Sequence, residues 1–294
     1  MSVSGFLKFT LLLLVFLMIA PALIKNIYTN YQEMIKEKTR IAVITIEKTL
    51  TEAEPYTEQL TKQFKNNDIK AIVLKIECGG GAAGTSQTIF NELKALKKQY
   101  PKPVIVFIEN VCASGAYYIA CAADSIIASP SAFIGSIGVY IPHPQLNEFI
   151  EQFKIKYSVI KTGSYKAVGD PFLADSPEQV AMLQELTNNT YEQFVNDVAA
   201  NRSKLSRATA NIWAEGKVFT GAQAAELGLI DKVGSPTTVE QELRERVAIV
   251  GEIEWVKAPK PSSFSSFFSS FEADSLASLI VEKLHQTPLL RTQG

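Results

Sequence analysis

Three apolar, β-branched-rich runs at residues 41–46, 69–76 and 104–108 constrain this chain more than any other feature. Each has the length of one buried strand. The segments between them, residues 52–67 and 86–99, carry apolar positions at helical spacing in a polar background. Strands that alternate with helices in this way form βαβ units on a largely parallel sheet. The expected fold class is therefore α/β.

The third run leads directly into Glu109-Asn110-Val111-Cys112-Ala113-Ser114-Gly115-Ala116-Tyr117-Tyr118, and small residues dominate positions 115–123. This reads as a strand, a sharp turn and a tightly packed helix. A serine between two small residues at such a turn can hold its hydroxyl clear of the backbone, as a nucleophile requires. The Gly115 N–H beside it can help hold an oxyanion. The same three residues, Ala113-Ser114-Gly115, would also serve simple close packing of a helix on a sheet. The second run ends in Glu77-Cys78-Gly79-Gly80-Gly81. No Gly-Lys-Ser/Thr step follows and no Gly-x-Gly-x-x-Gly fingerprint is present, which argues against a nucleotide site. The glycines read either as a plain loop or as a nest of backbone N–H groups facing a substrate carbonyl.

Composition narrows the chemistry. The 294 residues carry a formal net charge of −1, which gives no electrostatic reason to expect nucleic acid. Cys78, Cys112 and Cys121 are too few and too widely spaced for a disulfide framework or a zinc site, and each reads as a small buried hydrophobe. With only two histidines, His143 between two prolines and His285 near the C-terminus, a Ser-His-Asp triad has few candidates.

Residues 6–24 form one apolar segment, uncharged from Phe9 to Ile24. It reads as a transmembrane anchor or a secretory signal; Pro21 between Ala20 and Ala22 counts against cleavage and favours the anchor. Flanking charge does not fix its orientation, with Lys8 on one side and Lys25 and Lys36 on the other. Beyond the serine turn, strands are expected at 124–128 and 157–160 and helices at 146–153, 177–201 and 222–227. Asp175-Ser176-Pro177-Glu178 marks the start of the long helix. From residue 259 the chain becomes a Ser/Phe-rich tail with a short amphipathic helix expected at 273–285.

Together these motifs resemble the signal peptide peptidase A family of membrane-anchored serine peptidases, in its short, single-unit form. The similarity runs from about Ile41 to Val233. It rests on Cys112-Ala113-Ser114-Gly115-Ala116-Tyr117-Tyr118-Ile119, on Gly135-Ser136-Ile137-Gly138-Val139, and on Gly163-Ser164-Tyr165-Lys166-Ala167-Val168-Gly169-Asp170-Pro171-Phe172. Phe219-Thr220-Gly221 through Gly228-Leu229-Ile230-Asp231 continues it. The resemblance implies a crotonase/Clp-protease-like domain with an N-terminal membrane-anchor helix. The implied division is an anchor or signal over 1–25, a linker over 26–40, a peptidase domain over 41–258 and the tail over 259–294. It also implies Ser114 as nucleophile, Lys166 as general base, and Gly81 and Gly115 as oxyanion donors. No metal or cofactor is implied.

The implied partners are hydrophobic peptides such as remnant signal peptides, the membrane, and further copies of the chain, with serine and lysine of one site drawn from adjacent subunits. The implied location is the bacterial inner membrane, single-pass, with the catalytic domain outside the cytoplasm. The dyad chemistry is coherent with so few histidines. A free lysine, with a pKa of about 10.4, is a protonated non-base at neutral pH. Burial disfavours the ammonium, so the chemistry calls for a buried Lys166.

Three departures stand out: Cys78-Gly79 replaces the family's Ser-Pro, Ala167 its Asp, and Asp170 its Ser. The first loosens a loop that proline would stiffen. They leave open a catalytically silent membrane scaffold. The shared fold also admits a crotonase-like acyl-CoA enzyme, although no carboxylate adjoins Ser114 or Gly81 in sequence.

Overall fold

The three apolar runs lie side by side as central strands of one sheet. The computed structural model describes residues 16–28 and 36–257. In chain order, helical residues 16–28 (α1) precede β1 (Lys38–Glu47), α2 (Glu54–Lys65), β2 (Ile69–Cys78), α3 (Ala83–Gln99), β3 (Val104–Ala113) and α4 (Gly115–Ala120). There follow β4 (Ser125–Ala128), β5 (Phe133–Gly135), α5 (Asn147–Gln152), α6 (Pro177–Asn201) and α7 (Ala210–Trp213). The last elements are β6 (Val218–Thr220), α8 (Gly221–Leu227), β7 (Lys232–Val233), α9 (Pro236–Arg246) and β8 (Glu252–Lys257). Among the described residues the sheet has eight strands, with the path β6-β5-β3-β2-β1-β8 and with β4 and β7 branching from β3. Its pairings are parallel except for β5 with β6.

The apolar runs are continuous because helices cover both faces of the sheet. Ile72, Leu74, Ile76, Val104, Val106 and Ile108 face a core shared with Leu60 and Phe64 of α2, Phe90 and Leu93 of α3, and Phe194 and Val198 of α6. The alternate residues Ala71, Val73, Ile105 and Phe107 face a second, smaller core closed by Val239 and Leu243 of α9. Each fully buried Ile or Leu stabilises the fold by about 1.5–3 kcal/mol relative to exposure. The long α6 spans the range its pattern predicts. It starts with a capping box in which Ser176 accepts from the Gln179 N–H and the Gln179 side chain accepts from the Ser176 N–H.

Two expectations change. Residues 157–160 are not a strand: they lie in irregular chain, Ile160 is fully exposed, and no strand pairs with them. β-branched composition cannot make a strand without a ladder to join. Elements not anticipated are β5, α7, β6, β7, α9 and β8, of which β8 pairs along the free edge of β1. No helix among the described residues is long and apolar enough to cross a membrane. The first ten residues of the apolar segment at 6–24 lie outside the described residues, as do the tail at 259–294 and the amphipathic helix expected there. The part that is described, α1, exposes Phe16, Leu17, Met18, Leu23 and Ile24.

Candidate active site

β3 changes neighbours part-way along. Ile105 to Ile108 run beside Ser125 to Ala128 of β4, whereas Val111 to Ala113 run beside β5. Between the two halves Glu109 and Asn110 point outward, and Glu77 accepts both of their backbone N–H groups. The fork carries Ser114 to the end of the sheet. Its N–H donates to the Gly135 carbonyl at 2.7 Å, and its own carbonyl receives the Tyr118 N–H at 3.0 Å, so Ser114 closes the ladder and opens α4. Its φ of 51° and ψ of −126° are rarely adopted by a residue with a side chain. Strand and helix fix the residue from both sides, and its side chain is turned into a cavity.

The Gly79-Gly80-Gly81 loop packs on this turn. Gly80, at φ 112°, approaches so closely that a Cβ there would lie 2.8 Å from the Ser114 Cβ. A Cβ on Gly115 would lie 2.1 Å from the Ser86 Oγ and 3.4 Å from the Gly81 nitrogen. The loop is held across from β1 by Leu50, whose N–H donates to the Gly80 carbonyl at 2.9 Å and whose carbonyl receives the Ala82 N–H at 2.8 Å. Within the loop the Gly80 N–H donates to the Cys78 Sγ at 3.3 Å, and the thiol donates to the Lys48 carbonyl at 2.8 Å. Burial pushes the Cys78 thiol up, so it stays protonated and able to donate.

Ser114, Gly81 and Gly115 line one pocket of about 160 Å³, whose walls include Ala83, Tyr118, Val139 and Phe194. Tyr118 stacks on Phe194 with ring centroids 4.4 Å apart and donates its hydroxyl to Asp197. Burial and the neighbouring Asp197 carboxylate hold that phenol well above its ordinary range. A wider cleft of about 1180 Å³ also opens at Ser114 and Gly81, reaching past Ser136 and Tyr140 to Asn188 and Glu215. A residue aimed into two adjoining cavities beside closely set backbone N–H groups can attack a carbonyl and hold the resulting oxyanion.

Lys166 is not brought to this place within one chain. Its side chain is exposed and lines neither cavity. The burial that a dyad lysine requires is therefore not met here. Its loop is tethered instead to Asp175, which is almost fully buried and bonds the His143 ring at 2.6 Å and the Gly169 N–H at 3.3 Å. His143 thus braces the lysine loop and lines neither cavity at Ser114; His285 lies outside the described residues. All three cysteines are free and buried, as composition indicates, but Cys78 also holds the glycine loop. Its position in the departure from the Ser-Pro pattern was the available signal. The roles of Leu50 and Asp175 had none, since both depend on contacts distant in sequence.

Comparison with known proteins decides the lineage. Residues 96–250 match the model of peptidase family S49. The chain belongs to peptidase family S49. The matched residues of this S49 chain include Ser114, Gly115 and Lys166, while Gly81 precedes them. A protein of Methanocaldococcus jannaschii with a provisional protease name is 33% identical over 70% of this chain and 65% of its own length. One of Synechocystis, also provisionally named a protease, is 33% identical over 77% of this chain and 83% of its own length. The chloroplastic serine protease SPPA of Arabidopsis thaliana is 32% identical over 62% of this chain and 27% of its own length. With these matches the chain stands as an S49 peptidase of the signal peptide peptidase A kind, built on a mixed α/β fold with a mostly parallel sheet.

Proposed function

We propose that this S49 peptidase is a serine endopeptidase that cleaves hydrophobic peptides, such as signal-peptide remnants, with Ser114 as nucleophile and Lys166 as general base. The observation that carries the reading is the fixed, positive-φ Ser114 at the end of β3, facing a pocket it shares with Gly81 and Gly115. In the reaction the Lys166 amine takes the Ser114 hydroxyl proton as Oγ attacks the scissile carbonyl. The N–H groups of Gly81 and Gly115 hold the oxyanion. Collapse passes the proton to the leaving amine and leaves an acyl-enzyme, which water, deprotonated by the same lysine, then hydrolyses.

The lysine of each site comes from a second copy of the chain. Supporting this, Lys166 sits in a segment whose apolar side chains face solvent: Tyr140, Phe149, Phe153, Ile155 and the fully exposed Ile160. Exposed apolar side chains concentrated in one segment are what a contact face would supply. Packing there would bury Lys166 and disfavour its charged form, as a base needs. Residues 6–24 anchor the chain in the membrane, with the catalytic domain on the extracytoplasmic side.

The test is hydrolysis of a quenched hydrophobic peptide by wild type, Ser114→Ala and Lys166→Ala at equal assembly. Each variant alone should lose activity by at least about 10³-fold. Mixed and reassembled, the two inactive variants should recover about a quarter of wild-type activity, the share of sites that combine intact serine and lysine. Turnover that survives Ser114→Ala would overturn the assignment. An assembled but inactive wild type would favour the scaffold reading instead.

A further inference from the structure

The glycine loop poses a mechanical problem. Glycines lose more conformational freedom on folding than other residues, and Gly79 has open space around its Cα. Yet Gly81, two residues on, must keep its N–H aimed within a few tenths of an ångström if it is to hold an oxyanion. The family resemblance places a proline at position 79, where ring stiffness would help; this chain has glycine. Something else must hold the loop.

We infer that Cys78 is a positioning residue for the oxyanion site, its thiol bracing the Gly79–Gly81 loop in place of a stiffening proline. The inference rests on the peptidase reading above. The thiol is almost completely buried and connects two segments at once. Its S–H donates to the Lys48 carbonyl at 2.8 Å, while its sulfur receives the Gly80 N–H at 3.3 Å. The Gly80 carbonyl also lies within 3.5 Å of it. Lys48 stands two residues before Leu50, which holds the other side of the same loop through Gly80 and Ala82. The turn after β1 therefore grips the loop at two points, and only one of them is backbone to backbone. The other is the thiol.

The brace lies on the path to the reacting atoms. Gly80 is the residue packed against the Ser114 Cβ, and its C-terminal neighbour Gly81 lines the pocket at Ser114. Freeing the Gly80 N–H releases the Gly79–Gly80 peptide and leaves the Leu50 N–H to hold the Gly80 carbonyl alone, so the plane that carries the Gly81 N–H can tilt and misaim it, while the cleft, walled mostly by other segments, keeps its shape. The cost then appears where charge develops on the carbonyl oxygen and not in substrate binding.

The experiment compares wild type with Cys78→Ala and Cys78→Ser in the assembled full-length protein. It measures kcat and KM on a hydrophobic peptide, inhibition by the matching peptide aldehyde, and thermal unfolding. Cys78→Ala should lower kcat by about tenfold with KM changed by less than about twofold, and should weaken the aldehyde by the same factor as kcat. Cys78→Ser, which keeps one donor and one acceptor, should recover most of both. If Cys78→Ala does not fold because it leaves a void, Cys78→Val fills the site with apolar atoms and drops both hydrogen bonds, and the same split is expected of it. Wild-type kcat and aldehyde affinity in the apolar variants would overturn the inference and leave the peptidase reading standing. So would an equal loss in the serine variant, or an effect confined to KM or unfolding temperature. A wild type that neither hydrolyses the peptide nor binds the aldehyde would sink both.

Discussion

Residues 112–120 are buried apart from the half-buried Ser114, whereas residues 139–172 carry Tyr140, Phe149, Phe153, Ile160 and Tyr165 into solvent. The first region is fastened by strand ladders, the Leu50 bridge and the Cys78 thiol. The second contains one short helix, α5, is closed on itself by the bond from the Leu146 N–H to the Pro171 carbonyl, and is tied to the start of α6 by the His143–Asp175 pair and by the Gln179 amide donating to the Ser164 carbonyl. On the proposed function, the exposed half of the candidate dyad is completed by a second copy of the chain. The nucleophile's setting is secured by folding alone, while the lysine's depends on what packs over it.

Substitutions should separate the two regions. The largest loss of stability is expected from Asp231→Ala. Asp231 pairs in two-pronged fashion with the buried Arg202, both contacts at 2.9 Å, and accepts the Ile126 N–H. Removing it strands a buried guanidinium at a cost of about 3 kcal/mol, read from chemical denaturation. Gly80→Ala comes next. The new methyl meets Ser114 and Gly115 at under 3 Å in a backbone conformation that suits glycine. About 2 kcal/mol of stability should go with it, together with most of the activity.

His143→Ala should cost about 1–2 kcal/mol, because the buried Asp175 loses one of its two hydrogen-bond partners. Hydrogen exchange should quicken in residues 163–172 and stay unchanged around Ser114. Equal quickening at both places would erase the contrast between the regions. The smallest effect on folding is expected from Ile160→Asp, within about 0.5 kcal/mol, since nothing in the single chain covers that side chain. Its sedimentation should nonetheless shift to a smaller species, with loss of peptidase activity. Unchanged assembly would remove residues 139–172 from the contact face.

The two regions also differ in how far they could be read in advance. The central strands were legible because burial on both faces leaves near-continuous apolar runs. The serine turn was legible because small residues cluster on it. β3 extends five residues past its apolar run, since Glu77 satisfies the backbone of the exposed Glu109 and Asn110. No apolar pattern reports that. Residues 157–160 carry strand-like composition but find no ladder, and α9 is so polar on its outer side that its buried Val239 and Leu243 stand out only once the sheet is seen. Lys166 could be placed on a loop, yet its exposure there could not be read, because no spacing or apolar pattern in residues 161–172 reports which side chains the loop leaves in solvent. Cys78 looked like a weakening of a loop; hydrogen-bond geometry makes it a fastening.

The order of strands has a consequence for how the chain is made. β1 sits between β2 and β8, and roughly two hundred residues separate β1 from β8 along the chain. At ribosomal speeds of about 5–20 residues per second, the outer edge of β1 waits on the order of ten to forty seconds for its partner. Throughout that interval a strand rich in Ile and Val offers unpaired N–H and C=O groups to any other nascent strand nearby. Synthesis of this protein is thus exposed to error at β1 for longer than at β2 or β3, and the hazard ends only when β8 arrives.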